Sequence, residues 1–177
     1  MTSHRDDTKR QCTADDRDLA VQSITVTVHN QENNIDGVPI HRNHATIYPI
    51  VPRENSIRID MVLNSADDTA GFLEAIYCYY TQSRGSLMNF GLSVRPGLLV
   101  HDVVDLIYAN GRQRYRFTRS LTGCRFWVST VIYDFEAAGF LSSWSYYNAD
   151  DIKERLQYRY VVGQAPEGNE MEQGWFF

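Results

Sequence analysis

The sequence predicts an α+β fold in which an antiparallel sheet of about five strands is packed by two to three helices. Apolar residues alternate with period 2 in the first half of the chain and recur with period 3.6 in the second half. Strands therefore come first and helices follow, an order typical of helices that lie on one side of an antiparallel sheet. The 177 residues, 43% of them hydrophobic, are sufficient to form one domain with its own core.

Five segments have the alternation or the β-branched and aromatic content of strands. They are residues 23–29, 44–51, 56–63, 71–80 and 90–94. Polar residues and glycine between the first two segments predict a turn over 30–38. Pro49 predicts that the second strand lies at an edge or breaks there, because proline has no amide hydrogen to donate to a neighbouring strand.

The second half of the chain contains the helical patterns. Val100, Val103, Val104 and Ile107 form an apolar stripe that ends at Asn110-Gly111. A stronger stripe predicts a helix from about Gly123 to Ala138, with Thr122 as its N-cap and Gly139 after its last turn. Residues 148–157 predict a short third helix.

Composition sets the domain organisation and excludes several classes of protein. Residues 1–20 are rich in charge and predict a flexible N-terminal tail, which leaves 21–177 as a single α+β domain. The net charge of −5 argues against nucleic acid as a partner, and no apolar stretch is long enough to span a membrane. Three widely spaced cysteines and a polar start predict a protein of the reducing cytoplasm. A homo-oligomer is left open.

Cys124 is the candidate nucleophile. It opens the strongest predicted helix, where unpaired backbone N–H groups and the positive end of the helix dipole favour a thiolate. The competing interpretation is that Cys124 only packs in the core, which is the usual role of a cysteine on an apolar helix face.

His44 and Asp60 are the candidate partners of this thiol. A cysteine nucleophile needs a base, and the base needs a group that orients it. His44 opens a strand, and Asp60 lies on the polar face of the next strand, in register to accept from one imidazole nitrogen. His41 competes for the role of the base, and His29 ends the first strand near the same place.

The motifs around these residues resemble those of circularly permuted papain-like enzymes of the NlpC/P60 type, among them the lecithin:retinol acyltransferase-like proteins. Residues 44–48 (His-Ala-Thr-Ile-Tyr) are similar to the histidine strand, and 123–127 (Gly-Cys-Arg-Phe-Trp) to the start of the cysteine helix. The histidine precedes the cysteine, as in permuted members. Ala45 replaces the usual aromatic residue, Gly123 replaces asparagine, and Asp60 stands where histidine is common in the acyltransferases. The resemblance implies a permuted papain-like arrangement.

A more extensive resemblance is to a group of fungal proteins that carry an uncharacterised domain. The shared motifs are residues 56–61 (Ser-Ile-Arg-Ile-Asp-Met), 111–118, 123–128, 134–139 and the ending Gln-Gly-Trp at 173–175. This resemblance supplies no function, and it implies that asparagine stands in place of Asp60 in that group.

These observations predict a thiol-dependent enzyme that acts on an acyl group of a small-molecule ester, thioester or amide. It would be a hydrolase, an acyltransferase or a cyclase, and a fungal setting would suit secondary metabolism. The expected catalytic residues are Cys124, His44 and Asp60, and the expected substrate-binding residues are Tyr48, Arg58, Arg125 and Trp127. Surplus aromatic residues, Tyr77, Tyr79 and Trp144 among them, predict an apolar pocket.

Neither a metal nor a cofactor is expected. The spacing of His41 and His44 has no third ligand nearby, and no glycine-rich phosphate loop is present. The alternative is a non-catalytic domain that binds a small molecule or a protein and keeps the fold with a decayed site.

Overall fold

A computed structural model describes residues 8–35, 38–65 and 68–177, without the side chains of 31–41 and 64–68. Its elements are, in chain order, β1 (Lys9–Gln11), β2 (Ser23–Ile35), β3 (Val38–Val51), β4 (Asn55–Ser65), β5 (Asp68–Cys78), β6 (Ser86–Ser93), α1 (Val100–Ala109), β7 (Tyr115–Arg116), α2 (Cys124–Ala137), α3 (Ala149–Arg155), β8 (Tyr158–Arg159), β9 (Glu167–Gly168) and β10 (Trp175–Phe176). The fold is α+β, with a large antiparallel sheet and three helices, as the change of period predicts.

The main sheet has the strand order β10-β7-β5-β4-β3-β2-β6, and β1 adds to β5. It contains eight strands where the sequence predicts about five, because β1, β7 and β10 are too short to show periodicity. β2 and β3 also extend through the polar residues of the predicted turn and pair up to Ile35 and Val38.

Pro49 does not mark an edge or a break. β3 lies between β2 and β4 and continues through Pro49 to Val51. Within the described residues, the β3–β4 ladder contains only the pairs Ile47–Ile59, Ile50–Ser56 and Val51–Asn55. A ladder this sparse requires few amide donors, so it tolerates a residue that has none.

Residues 8–20 are attached to the sheet, although their charge pattern predicts a flexible tail. β1 pairs with β5, and the segment then turns through one 3-10 turn at Asp15–Asp18. Arg10 donates to both carboxylate oxygens of the buried Asp16 and lies 4.0 Å from the ring centroid of Tyr77. These charges pair with one another, so their number does not prevent docking.

The core lies between the sheet and the helices. Alternate residues of β2, β3 and β4 enter it, namely Ile24, Val26, Val28, Ala45, Ile47, Ile57, Ile59 and Met61, and they pack with Trp127, Val131 and Phe135 of α2. The intervening residues face the other side of the sheet, where Tyr48, Ile76 and Cys78 form a smaller cluster. His44 and Asp60 belong to this second face. No helix in the described part of the chain is long and apolar enough to span a membrane.

Candidate active site

Cys124 is the first residue of α2, and its position depends on the glycine before it. The N-cap is Gly123, with φ +124°, rather than the predicted Thr122. A Cβ on Gly123 would lie 2.7 Å from the Tyr115 hydroxyl, so both the backbone conformation and the available space require glycine here. Thr122 instead donates its hydroxyl to the Glu172 carboxylate.

His44 and Asp60 are in direct contact. The distance between His44 Nε2 and Asp60 Oδ1 is 2.8 Å, and the two side chains are 18% and 8% exposed. In the continuous β2–β3 ladder His44 pairs with His29, whereas the described β3–β4 pairing stops at Ile47–Ile59. β3 and β4 therefore separate beside His44, and the Asp60 side chain crosses from one strand to the imidazole of the other.

The Cys124 sulfur lies beside the His44 ring, near the point where the described β3–β4 pairing ends. The His44 ring and the backbone N–H of Ala45 both act on the sulfur, and each lowers the pKa of the Cys124 thiol. Because Nε2 is engaged by Asp60, Nδ1 is the ring nitrogen that remains for the sulfur. The start of α2 thus lies beside His44 and Ala45 of β3.

The charges of this group support a thiolate and an imidazolium. Burial raises the pKa of the Cys124 thiol, but the His44 charge, the hydrogen bond to His44 and the Ala45 N–H outweigh it and lower the pKa below its ordinary value. Burial lowers the pKa of His44, but the charges of Asp60 and Cys124 and their hydrogen bonds raise it well above its ordinary value. The thiolate and the imidazolium therefore each favour the other, and Asp60 holds the imidazole from the far side.

Two of the four predicted substrate-binding residues lie on the same face of the sheet as His44. Tyr48 is buried, with its ring centroid 6.1 Å from that of His29. Arg58 forms an ion pair with Glu74, and its Nε is buried without a hydrogen-bond partner among the described residues. Desolvation lowers the pKa of His29 to about 4, so this second histidine is neutral at physiological pH.

The other two predicted substrate-binding residues are occupied by structural contacts. Trp127 is fully buried and donates its indole N–H to the Arg112 carbonyl at 2.8 Å. Arg125 donates to backbone carbonyls, at 2.8 Å to Leu156 and at 3.1 Å to Asn169. Arg125 thereby attaches the C-terminal segment to α2.

The aromatic residues expected to line one apolar pocket are dispersed over the molecule. Trp144 is 90% exposed, Tyr79 is also exposed, and Tyr77 and Trp127 belong to the core. Tyr48 lies on the opposite face of the sheet from Trp127. The count of aromatic residues predicts neither their burial nor their common location, because both depend on which face and which element each residue occupies.

A contribution that the sequence analysis missed comes from the C-terminal segment. β10 pairs with β7, and the Tyr115 hydroxyl donates to the Gly123 carbonyl while it accepts from the Gly174 N–H at 3.0 Å. Gly123, which precedes the first residue of α2, is thus held by Tyr115 and, through Tyr115, by Gly174. The ending 173–175 is one of the motifs shared with the fungal group, but its place beside Cys124 follows only from the tertiary structure.

Gly174→Ala is expected to destabilise the protein. The new Cβ would lie 2.2 Å from the Arg116 carbonyl oxygen and 2.4 Å from the Tyr115 hydroxyl, both of which are held in the sheet or beneath α2. Such overpacking lowers the free energy of unfolding by about 2 kcal/mol, measurable by urea denaturation. The matched control is Gly168→Ala, whose Cβ meets no atom within 4 Å. Equal stability of the two variants would contradict this account of the C-terminal segment.

The described residues contain no group of three or more His, Cys, Asp or Glu side chains arranged to hold a metal ion. The His41 side chain, which the sequence analysis raised as a competing base, lies outside the described side chains.

Comparison with known proteins gives a family but no activity. A family model described as a domain of unknown function, DUF7770, matches residues 24–177. No curated protein and no solved structure matches the chain. The match confirms the expected membership of an uncharacterised family and includes all of the elements that carry Cys124, His44 and Asp60.

Proposed function

The chain belongs to the DUF7770 family of domains of unknown function, and we propose, from the chemistry of its site, that it is a thiol-dependent enzyme that transfers or hydrolyses acyl groups. The observation that carries the proposal is that His44, which is hydrogen-bonded to Asp60, acts on the Cys124 thiol at the start of α2 and lowers its pKa. A buried cysteine that only packs needs no histidine beside it and no carboxylate behind that histidine.

In the first half of the proposed reaction, the Cys124 thiolate attacks the carbonyl carbon of an ester, thioester or amide. The negative charge moves to the carbonyl oxygen, where the free N–H groups of the first turn of α2 supply hydrogen bonds. The His44 imidazolium gives its Nδ1 proton to the leaving group as the bond to that group breaks. An acyl thioester on Cys124 and a neutral His44 remain.

In the second half, neutral His44 removes a proton from water or from an acceptor alcohol or amine. The resulting nucleophile attacks the thioester carbonyl, and the acyl group leaves with it as the thiolate of Cys124 is restored. Asp60 accepts a hydrogen bond from Nε2 throughout, so the ring keeps its orientation and its positive charge is stabilised each time it forms.

The proposed fold relationship is to the permuted NlpC/P60-type papain-like enzymes. It is supported by the order of the site residues along the chain, with the histidine strand β3 before the cysteine helix α2 and the orienting residue on the adjacent β4. Cys124 is 9% exposed. Because access to the Cys124 sulfur is narrow, the site favours a small or extended acyl group, such as the activated acyl chains of secondary metabolism.

Trapping of the acyl-enzyme tests this function. The protein is incubated with p-nitrophenyl acetate, butyrate and octanoate and with the corresponding N-acetylcysteamine thioesters, and its intact mass is followed. A mass increase of one acyl group that maps to Cys124, absent in Cys124→Ser and retained in Cys12→Ser, is expected. Acylation only at Cys12, or none with any ester or thioester, would overturn the proposal.

The second candidate is a non-catalytic domain that binds a small molecule or a protein. The observation that favours it is the burial of Cys124 together with the dispersal of the aromatic residues expected to form an acyl pocket. In that case the same esters would leave wild type and Cys124→Ser equally unmodified.

A further inference from the structure

Two carboxylates face each other beside the site. In the β4–β5 ladder Asp60 is the direct partner of Glu74, so their side chains project from neighbouring strands on the same face. Like charges in this position repel and destabilise a sheet. Asp60 is also the acceptor of the His44 bond, so any response of Asp60 to this repulsion is transmitted to the imidazole.

Arg58 lies where it neutralises this repulsion. It is two residues before Asp60 on β4 and therefore on the same face of the sheet. Its Nη2 is paired with a Glu74 carboxylate oxygen, and the negative charge of Asp60 acts on the same guanidinium. The Arg58 and Glu74 side chains are each 24% exposed, so solvent screens the three charges only in part.

We infer that Arg58 is a positioning residue for the proposed reaction, in place of the substrate-binding role that the sequence analysis gave it. The positive charge of Arg58 attracts the Asp60 carboxylate and offsets the negative field of Glu74. The Asp60 carboxylate therefore stays directed at His44. The charges then alternate in sign from Glu74 through Arg58, Asp60 and His44 to Cys124. This inference rests on the proposed function.

Neither of the two titratable groups beside His44 on this face, His29 and Tyr48, replaces Arg58. His29 opposes His44 across the β2–β3 ladder, and because its pKa is lowered to about 4 it carries no charge near pH 6. Tyr48 is neutral there as well, since burial raises its pKa above the ordinary value. Without Arg58, the charge of Glu74 would face Asp60 directly.

Arg58→Met tests the inference, with the pH dependence of Cys124 alkylation by iodoacetamide as the readout. Iodoacetamide is uncharged, so loss of a substrate anchor would not affect it. In Arg58→Met the charge of Glu74 is no longer neutralised, and its repulsion should weaken the Asp60–His44 contact. The acid midpoint of the alkylation profile should therefore rise by about half a pH unit to one pH unit. Adding Glu74→Gln should return the midpoint to within a few tenths of a unit of wild type. Arg58→Lys, which keeps the positive charge, should have an acid midpoint within a few tenths of a pH unit of wild type.

Each result has one interpretation, provided that the variants retain the wild-type circular dichroism spectrum. An unchanged midpoint in Arg58→Met, or a raised midpoint that Glu74→Gln does not restore, overturns the positioning role. If Arg58→Met does not fold, two other variants test the positioning role. A raised midpoint in Arg58→Lys, or in the Arg58→Met/Glu74→Gln variant if that variant folds, overturns the role. Wild type itself separates the two proposals, because an ordinary thiol midpoint there contradicts the proposed function whatever Arg58 does.

Discussion

His44→Gln is expected to lower the rate of acyl transfer by roughly a thousandfold. The substitution removes the group that protonates the leaving group and then activates the acceptor, and each of these roles contributes a large factor. It also removes the positive charge that favours the thiolate, so the acid limb of the pH–rate profile should move up towards the ordinary thiol pKa of about 8.5. Iodoacetamide alkylation measures this limb independently of turnover.

His29→Gln is the matched control for this substitution. His29 lies directly opposite His44 on the neighbouring strand and is neutral in the working range of pH. We expect the acid midpoint of Cys124 alkylation in His29→Gln to remain within about half a pH unit of the wild-type value. A similar loss of activity in both variants would show that removal of either histidine disturbs the sheet and that His44 has no special role.

Replacement of Asp60 is expected to have the second largest effect, and its size should depend on the replacing side chain. Asp60→Leu leaves Nε2 of His44 without an acceptor in a site where both side chains are largely buried, so acyl transfer should fall by a hundredfold or more. Asp60→Asn keeps a carbonyl oxygen for the Nε2–H but loses the charge, so a loss of about tenfold is expected.

The pH profile measures the loss of the Asp60 charge, which both variants share. The Asp60 charge raises the pKa of His44, so stabilisation of the imidazolium is present at low pH and is lost as the pH rises through the folded-state pKa. In both variants the alkaline limb should therefore move to lower pH. Equal rates for Asp60→Leu and wild type would contradict the role of Asp60.

Much of this architecture is predictable from local patterns. The alternation in β3 and β4 places His44 and Asp60 on one face, and the helical stripe places Cys124 at the start of α2. Faces and helix ends are local properties that periodicity reports directly. That the three side chains lie together depends on how α2 is placed against β3 and β4, which no period in the sequence shows.

The residues that were assigned to substrate illustrate the same limit. Because Arg125 and Trp127 follow Cys124 closely, the sequence predicts that they share its site, but successive helix positions point in different directions. Arg125 is directed to the C-terminal segment and Trp127 to the core. The contacts of Gly174 with Tyr115 and of Asp60 with Glu74 join distant parts of the chain, so only the tertiary structure reveals them.

The ionisation of Cys124 tests the central claim most directly. The thiolate absorbs near 240 nm, and the difference in absorbance between wild type and Cys124→Ser, followed from pH 4 to pH 10, isolates this sulfur from Cys12 and Cys78. A thiolate–imidazolium pair predicts that the thiolate signal is already present at pH 6, below the ordinary thiol transition. A single transition near pH 8.5, or no difference signal below pH 10, would contradict the account.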